Sequence, residues 1–216
     1  YFGSDNALIS DFSNSRVFVV KISNASLVST ISTSAAGYNG TGTITVAPNL
    51  TAALAMGGSS SLKVIQGPFN ASSTITSLTM PGSVAGYQTE AIVFNNAGRA
   101  FVYHSTGISV LDPPYDSIAF TIPVSGNSST GSIGITPDGN TLYFFRPVGG
   151  NENYRIFSSR RTTDGWSVPE RVDLGGEFSD LYPSISRDGR RMAFSSYRPI
   201  PGGSPGKPNA HIWSVE

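Results

Sequence analysis

The chain has 216 residues, no cysteine, and a formal net charge of zero from 14 basic and 14 acidic side chains. A disulfide framework, a thiolate metal site and a cysteine nucleophile are therefore excluded, and no basic surface for neutralising nucleic-acid phosphates is evident. Charged residues make up only 13% of the chain, whereas Gly, Ser, Thr and Asn are abundant, which favours short strands and tight turns over helices.

The first predicted elements are strands near the N-terminus. The stretches ALISDF, RVFVVKI and SLVSTIS are short segments with several apolar residues and are predicted to be strands. They are predicted to form an incomplete copy of the unit that repeats through the rest of the chain. No stretch is apolar over the length of a membrane span, so no membrane insertion is predicted.

A repeat of one strand, a polar turn and a second strand then occurs four times. Its clearest copies are GITPDGNTLYFFR, from Gly134 to Arg146, and SISRDGRRMAFSSYR, from Ser184 to Arg198. Looser copies run from Thr45 to Gly57 and from Val93 to His104. The turn glycines of the last three copies are 41 and 50 residues apart, a spacing that fits one four-stranded propeller blade.

The turn inside the repeat has a physical basis. Pro137 pre-sets φ for a type I turn, Asp138 can accept a hydrogen bond from the following backbone, and Gly139 can take a positive φ. The strand after it, residues 142–145, is apolar at consecutive positions. This pattern predicts a sheet that is covered on both faces by its neighbours.

Together these patterns predict an all-β fold, a β-propeller of about five four-stranded blades. The whole chain, 1–216, is predicted to be a single domain. Its approximate blades are 1–36, 37–81, 82–126, 127–175 and 176–216. Because the first and last blades look incomplete, the N- and C-terminal strands could pair and close the ring.

Residues 131–216 resemble the TolB-type, WD40-like β-propeller repeat. The resemblance rests on GWSVPERVDLG, YPSISRDGRRMAFSSYRP and HIW. The earlier part of the chain is more similar to the short propeller repeats of surface proteins, but Asn49 and Ala97 stand near the position of the turn aspartate. The resemblance implies a propeller fold and an extracytoplasmic setting, and it implies no particular activity.

The residues available disfavour nucleophilic and zinc chemistry. The two histidines, His104 and His211, are not accompanied by a G-x-S-x-G elbow or an H-E-x-x-H spacing, so no metal site and no cofactor is predicted. A glycosidase would need a pair of carboxylates. The catalytic candidates are Glu90 and Asp180, each just ahead of an innermost strand, where loops face the central channel.

Candidate ligand-binding residues lie at one predicted rim. Arg146 and Arg198 each end the second strand of a blade, precede a proline and lead into a long loop, and His104 takes the corresponding place one copy earlier. Such loops commonly form the binding surface of a fold. Salt bridges between blades are an equally open role for these side chains.

A second group of candidates lies around the start of the last blade. Asp180 and Tyr182, beside Glu177 and Phe178, form the densest local cluster of acidic and aromatic residues. Tyr154 is predicted to lie in a loop, where its ring could stack on a sugar face. A solvated loop between two blades is the alternative interpretation of this cluster.

Three functions remain open from the sequence. The leading expectation is a non-catalytic secreted or surface propeller that recognises a glycan, peptide or protein on its loop-bearing rim. A carbohydrate-active hydrolase or lyase that uses channel carboxylates is one alternative, and an architectural module of a larger protein is another. The expected location is extracytoplasmic, that is secreted, periplasmic or at the cell surface, and nucleic acid is not an expected partner.

Overall fold

The computed structural model describes eight segments of the chain. They are residues 5–11, 14–33, 44–56, 60–83, 91–124, 132–149, 153–200 and 210–216. Within these segments the secondary structure consists of antiparallel strands and turns, and there is no helix that could cross a membrane. The predicted all-β class is confirmed.

The strands form five separate sheets, numbered one to five in chain order. Sheet one contains β1 (Asn6–Asp11), β2 (Arg16–Lys21) and β3 (Ser26–Ser32), and sheet two contains β4 (Ile44–Val46), β5 (Ala52–Met56), β6 (Ser61–Gln66) and β7 (Ile75–Thr79). Sheet three contains β8 (Ile92–Phe94), β9 (Ala100–His104), β10 (Gly107–Leu111) and β11 (Phe120–Pro123). Sheet four contains β12 (Ile133–Ile135), β13 (Thr141–Pro147), β14 (Tyr154–Thr162), β15 (Gly165–Trp166) and β16 (Glu170–Arg171), and sheet five contains β17 (Asp180–Ile185), β18 (Met192–Ser196) and β19 (His211–Val215).

Within each sheet the strands pair in chain order, and β15 and β16 pair with different parts of β14. This connectivity needs only antiparallel hairpins. In the described segments, the strands of sheets one and five pair only within their own sheets. The predicted pairing of N- and C-terminal strands is therefore not observed there, and β1 and β19 are the edge strands of their sheets.

The first strands of successive sheets lie side by side around a common cavity. β12 contacts both β8 and β17, and the Thr45 hydroxyl of β4 donates to the Ile92 carbonyl of β8 at 3.4 Å. Residues from β4, β8, β12 and β17 line a cavity of about 370 Å³. The sheets are thus stacked face to face, with their first strands innermost.

Each inner sheet buries both of its faces, as residues 142–145 show. Leu142 and Phe144 pack in an apolar cluster shared with sheets two and three, whereas Tyr143 and Phe145 pack in a cluster shared with sheet five. This confirms the prediction made from consecutive apolar residues. Full burial of a large apolar side chain contributes about 1.5–3 kcal/mol to the free energy of unfolding, so the stacking of sheets is the main source of stability.

The polar turn of the repeat forms as predicted. Gly139 has φ +74°, its amide donates to the Thr136 carbonyl at 2.8 Å, and the Asn140 amide donates to the Asp138 carboxylate at 3.0 Å. The hydrogen bond from the Thr136 hydroxyl is the main cause that lowers the pKa of Asp138. Gly189 has the same φ in the last copy.

These turns also pack against one another from sheet to sheet. The Asn96 amide donates to the Pro137 carbonyl of the next turn at 3.0 Å. A Cβ on Gly139 would overlap Asn95 Nδ2, and a Cβ on Gly189 would lie 3.0 Å from Pro137 Cδ. The glycine is therefore required both for its positive φ and for this close approach.

We expect Gly139→Ala to destabilise the fold more than Gly175→Ala. Gly175 has a similar φ of +77°, but a Cβ at this position would have no atom within 4 Å. Gly175→Ala should therefore lower the free energy of unfolding only by the cost of the left-handed backbone, about 1–2 kcal/mol. Gly139→Ala adds the overlap with Asn95, for a total of roughly 2–4 kcal/mol. Urea denaturation of both variants measures the difference, and equal losses would show that turn-to-turn packing contributes nothing.

Candidate functional site

The second strands of the sheets end on the same side on which the third strands and the first strands of the following sheets begin, and this side is called here the loop rim. Its described residues belong to two kinds of connection, those from second to third strands and those between successive sheets. Backbone hydrogen bonds join the two kinds: the Ser105 amide donates to the Ser83 carbonyl at 2.8 Å, and the Tyr197 amide donates to the Ser179 carbonyl at 3.1 Å. Of the candidate residues, Glu90 lies outside the described part of the chain.

Four of the predicted site residues converge on the loop rim between sheets four and five. The Asp180 carboxylate accepts a hydrogen bond from Arg198 Nη2 at 3.0 Å. Tyr154 and Tyr182 both pack edge-on against Phe145, with ring centroids 5.5 and 5.2 Å away. The predicted cluster at the start of the last sheet is thus one compact region of the structure.

Arg198 is held by protein groups on every side. Besides Asp180, its guanidinium donates from Nη1 to the Leu174 carbonyl and from Nε to the Ser196 hydroxyl, both at 2.9 Å. Its carbon Cζ lies 5.1–5.7 Å from three aromatic ring centroids, those of Phe178, Phe194 and Trp213. The side chains of Arg198 and Asp180 are 13% and 5% exposed, so this ion pair fastens β17 and β18 to the preceding connection.

The predicted equivalence of Arg146 and Arg198 is wrong by two residues. Ile135 pairs with Leu142, and Ile185 pairs with Met192. Counting from these pairs, Ser196 and not Arg198 takes the place of Arg146. The similar endings FFRP and FSSYRP concealed two extra residues before the arginine in the last copy.

His104 and Arg146 lie apart from this region, at the rim ends of β9 and β13. The His104 ring has 0% exposure, and its Nε2 and Nδ1 hydrogen-bond with the hydroxyls of Ser109 and Thr106 at 2.9 and 3.0 Å. Burial lowers the pKa of His104. The Arg146 guanidinium lies over the Phe157 ring, 4.0 Å from its centroid.

Glu177 is an exposed carboxylate held in place by two arginines. Its oxygens accept from Arg155 at 2.9 Å and from Arg171 at 3.1 Å, although its side chain is 76% exposed. These hydrogen bonds, that from Arg155 first, lower the pKa of Glu177. Neither arginine was among the sequence candidates. Arg155 lies 22 residues from Glu177, so nothing local marks this contact, whereas Arg171 is near in the chain but outside the cluster of acidic and aromatic residues.

Three aromatic side chains remain exposed on this part of the rim, and together they are called the aromatic patch. Phe178, Tyr182 and Tyr197 are 36%, 39% and 42% exposed. Tyr197 was not among the candidates, because its exposure depends on the same two extra residues that displace Arg198. Phe178 follows Glu177 in the chain, and its ring centroid lies 5.7 Å from Arg198 Cζ. The Tyr182 ring packs against Phe145, and the Tyr197 amide donates to the Ser179 carbonyl.

The described wall of the central cavity carries no ionisable side chain. It is formed by aliphatic and aromatic residues with Gly134, Pro48, Pro183 and the hydroxyls of Thr45 and Ser184. Asp180 lies at the rim in its ion pair. Across the described segments there is no group of three His, Asp or Glu side chains that could hold a metal ion.

Comparison with solved structures identifies the architecture. The first match is hydrazine synthase from Kuenenia stuttgartiensis, with a TM-score of 0.70 and 17% identity over 93% of this chain and 56% of that chain. A protein from Bacteroides uniformis, assigned provisionally as a 6-phosphogluconolactonase, gives 0.61 and 12% over 98% and 68%. A protein from Agrobacterium tumefaciens, assigned provisionally as TolB, gives 0.55 and 17% over 80% and 57%.

The fold is propeller-like. The TolB neighbour agrees with the repeat resemblance noted for residues 131–216, and at these identities the likeness concerns the fold alone. No family model and no curated protein matches the sequence. The chain spans a little over half the length of the hydrazine synthase chain and of the TolB chain.

The buried ion pair predicts a strong thermodynamic coupling. Either Asp180→Asn or Arg198→Met leaves a buried partner without its counter-charge and should cost about 3–5 kcal/mol, whereas the double variant should cost clearly less than the sum. Arg191→Gln, which removes an ion pair with Glu216 that is 66% and 77% exposed, is the matched control and should cost under about 1 kcal/mol. Additive losses in denaturant unfolding would contradict the coupling.

His104 predicts a pH dependence of stability. Because burial lowers its pKa in the folded state, protonation favours the unfolded chain, and its contribution is complete above pH ~6.5 and lost as the pH falls below that value. We expect His104→Gln to flatten the stability profile between roughly pH 5 and 6.5. The loss at lower pH, to which Asp138 and Asp188 contribute through their lowered pKa values, should persist in both proteins; identical profiles above pH ~5 would contradict the prediction.

Proposed function

We propose that this chain is a non-catalytic binding module that holds a carbohydrate on the aromatic patch of the loop rim. The observation that carries the proposal is the exposure of three aromatic side chains, Phe178, Tyr182 and Tyr197, on one supported section of the rim. Aromatic faces bind apolar surfaces with little conformational cost. Sugar rings present such a surface together with hydroxyl groups.

The polar edge of the patch supports a carbohydrate over a purely apolar ligand. Glu177 is fixed by Arg155 and Arg171, so its carboxylate can accept hydrogen bonds from hydroxyl groups without further ordering. Preorganised polar groups beside an apolar surface are typical of small-ligand sites. Because both cations lower its pKa, the Glu177 carboxylate is better suited to accept hydrogen bonds than to donate a proton as a general acid. This favours binding over hydrolysis.

The correspondence of sheets to propeller blades and the location of the protein are part of the same proposal. Each of the five sheets would be one propeller blade, and the rim carrying the patch would be the recognition surface of the array. An extracytoplasmic location is proposed on the repeat resemblance. A glycan exposed at a cell surface is the kind of ligand that such a location would offer.

Two other functions are outcomes of the same test. A hydrolase or lyase would have to use Asp180, whose carboxylate is 5% exposed and paired with Arg198, together with Glu90. An architectural role within a larger protein is supported by the partial span of the neighbouring structures. Neither of these functions is supported by a feature of the rim as direct as the exposed aromatic patch.

The test measures retention on a panel of neutral oligosaccharides and polysaccharides, with product masses recorded in parallel. A ligand should be retained without new products, and Phe178→Ala or Tyr182→Ala should weaken its binding about ten-fold or more, equivalent to ~1.4 kcal/mol or more. Phe120→Ala is the matched control, since Phe120 is 41% exposed on the distant β11. Its affinity should equal that of the unchanged chain.

The other outcomes decide against the proposal in different ways. Smaller product masses that disappear in Glu90→Gln would establish the enzyme alternative. Retention that Phe120→Ala weakens as much as Tyr182→Ala would place the ligand away from the patch. Binding of peptides but of no carbohydrate would show that carbohydrate is the wrong class of ligand, and the rim would remain the proposed binding surface.

A further inference from the structure

A groove separates β11 of sheet three from the β14–β15 hairpin of sheet four, and it is called here the side groove. One wall is β11, all four residues of which line it, Phe120 to Pro123. The other wall is the end of the hairpin with the connection that follows, residues 161–169. The volume of about 790 Å³ is within the range of small-ligand sites, roughly 300–1,000 Å³.

Strand β11 presents a free edge to the side groove. It pairs with β10 on one edge and with no strand of the described segments on the other. Successive side chains of a strand point to opposite faces, so a groove lined by all four residues of β11 runs along the edge of the strand and not over one face. The backbone groups of this edge are therefore available to an added strand.

The side groove also has an apolar surface. Phe120 and Val168 are 41% and 82% exposed. The Trp166 ring is half-buried and packs edge-on against Phe101, with the ring centroids 6.0 Å apart, which fixes it in the hairpin. Aromatic side chains are common anchors of binding surfaces, and these two can contact apolar side chains of an added strand.

Two opposite charges at the side groove have no partner in the part of the chain that the structure describes. Arg161 lies directly opposite Trp166 in the hairpin, and Asp164 lies in the turn that joins β14 and β15. Both line the groove, and neither side chain forms an ion pair or a hydrogen bond with another described residue. A ligand that carries one acidic and one basic group would complement them, and such complementarity determines partner choice.

We propose that the side groove binds an extended peptide segment of a partner protein, which adds to sheet three as a strand beside β11. Strand addition takes its affinity from main-chain hydrogen bonds and its specificity from alternate side chains. A sugar or a planar small molecule would leave the free edge of β11 unused. At about 3.4 Å per residue, β11 spans roughly 14 Å, which matches a peptide of about four or five residues. The side groove shares no residue with the aromatic patch, and its occupant does not depend on the proposed function.

Calorimetric titration of the unchanged chain with pentapeptides blocked at both ends tests the site. The probes have the sequences KITIE and EITIK, which place the two charges in both directions along the groove, and SITIS is the neutral match. At least one charged peptide should bind, and SITIS should bind about three-fold more weakly. Binding of neither charged peptide overturns the proposal.

N-methylation of the bound probe separates strand addition from binding through side chains alone. The amide groups of alternate residues in a strand point toward the same neighbouring strand. Methylation of both isoleucine amides and methylation of the threonine amide therefore block opposite edges of the peptide. One of these two peptides should lose affinity about ten-fold or more, while the other binds like the parent. Parental affinity in both would overturn strand addition.

Variants localise the peptide and separate it from the aromatic patch. Phe120→Ala should weaken binding about ten-fold, and Arg161→Gln about two- to three-fold. The matched controls are Tyr182→Ala and Arg160→Gln, the latter an exposed arginine on β14 outside the groove, and both should bind like the unchanged chain. Weaker binding in Tyr182→Ala with no change in Phe120→Ala would place the peptide on the aromatic patch and overturn the assignment.

Discussion

The structure depends on the requirement that every inner sheet be covered on both faces. A single four-stranded sheet with apolar residues on both sides cannot be stable in water. Phe144 and Phe145 are adjacent in the chain, yet each is buried against a different neighbouring sheet. The turns containing Gly139 and Gly189 fix the spacing of the stack at one end, which leaves the opposite end, the loop rim, for longer connections.

The loop rim combines rigid support with exposed groups. Arg198 uses its donors and its cationic face on protein partners, and this fixes the backbone from which Phe178 and Tyr197 project. Arg155 does the same for Glu177, an exposed carboxylate. The buried charges therefore position the surface, and the surface groups next to them are available for recognition.

Much of the fold could be predicted from the sequence, because its signals are local. The turn of Pro137, Asp138 and Gly139 and the apolar run that follows it are short-range patterns with direct physical causes. The site was predictable only in part: Asp180 and Tyr182 were found from a local cluster, whereas Arg155 acts through a contact with Glu177 that is 22 residues away in the chain. Arg198 was placed in the wrong register because the two extra residues follow the apolar positions of the strand. The apolar pattern is therefore the same with or without them.

The stacking of turns and sheets also determines how stability is distributed along the chain. Each sheet is closed by hairpins between consecutive strands and contacts mainly the sheets before and after it. The stability of such an array is approximately the sum of the folding free energies of its units and the interaction free energies of the interfaces between neighbouring units. A lesion in one sheet is therefore expected to be transmitted most strongly to the sheets that pack directly against it.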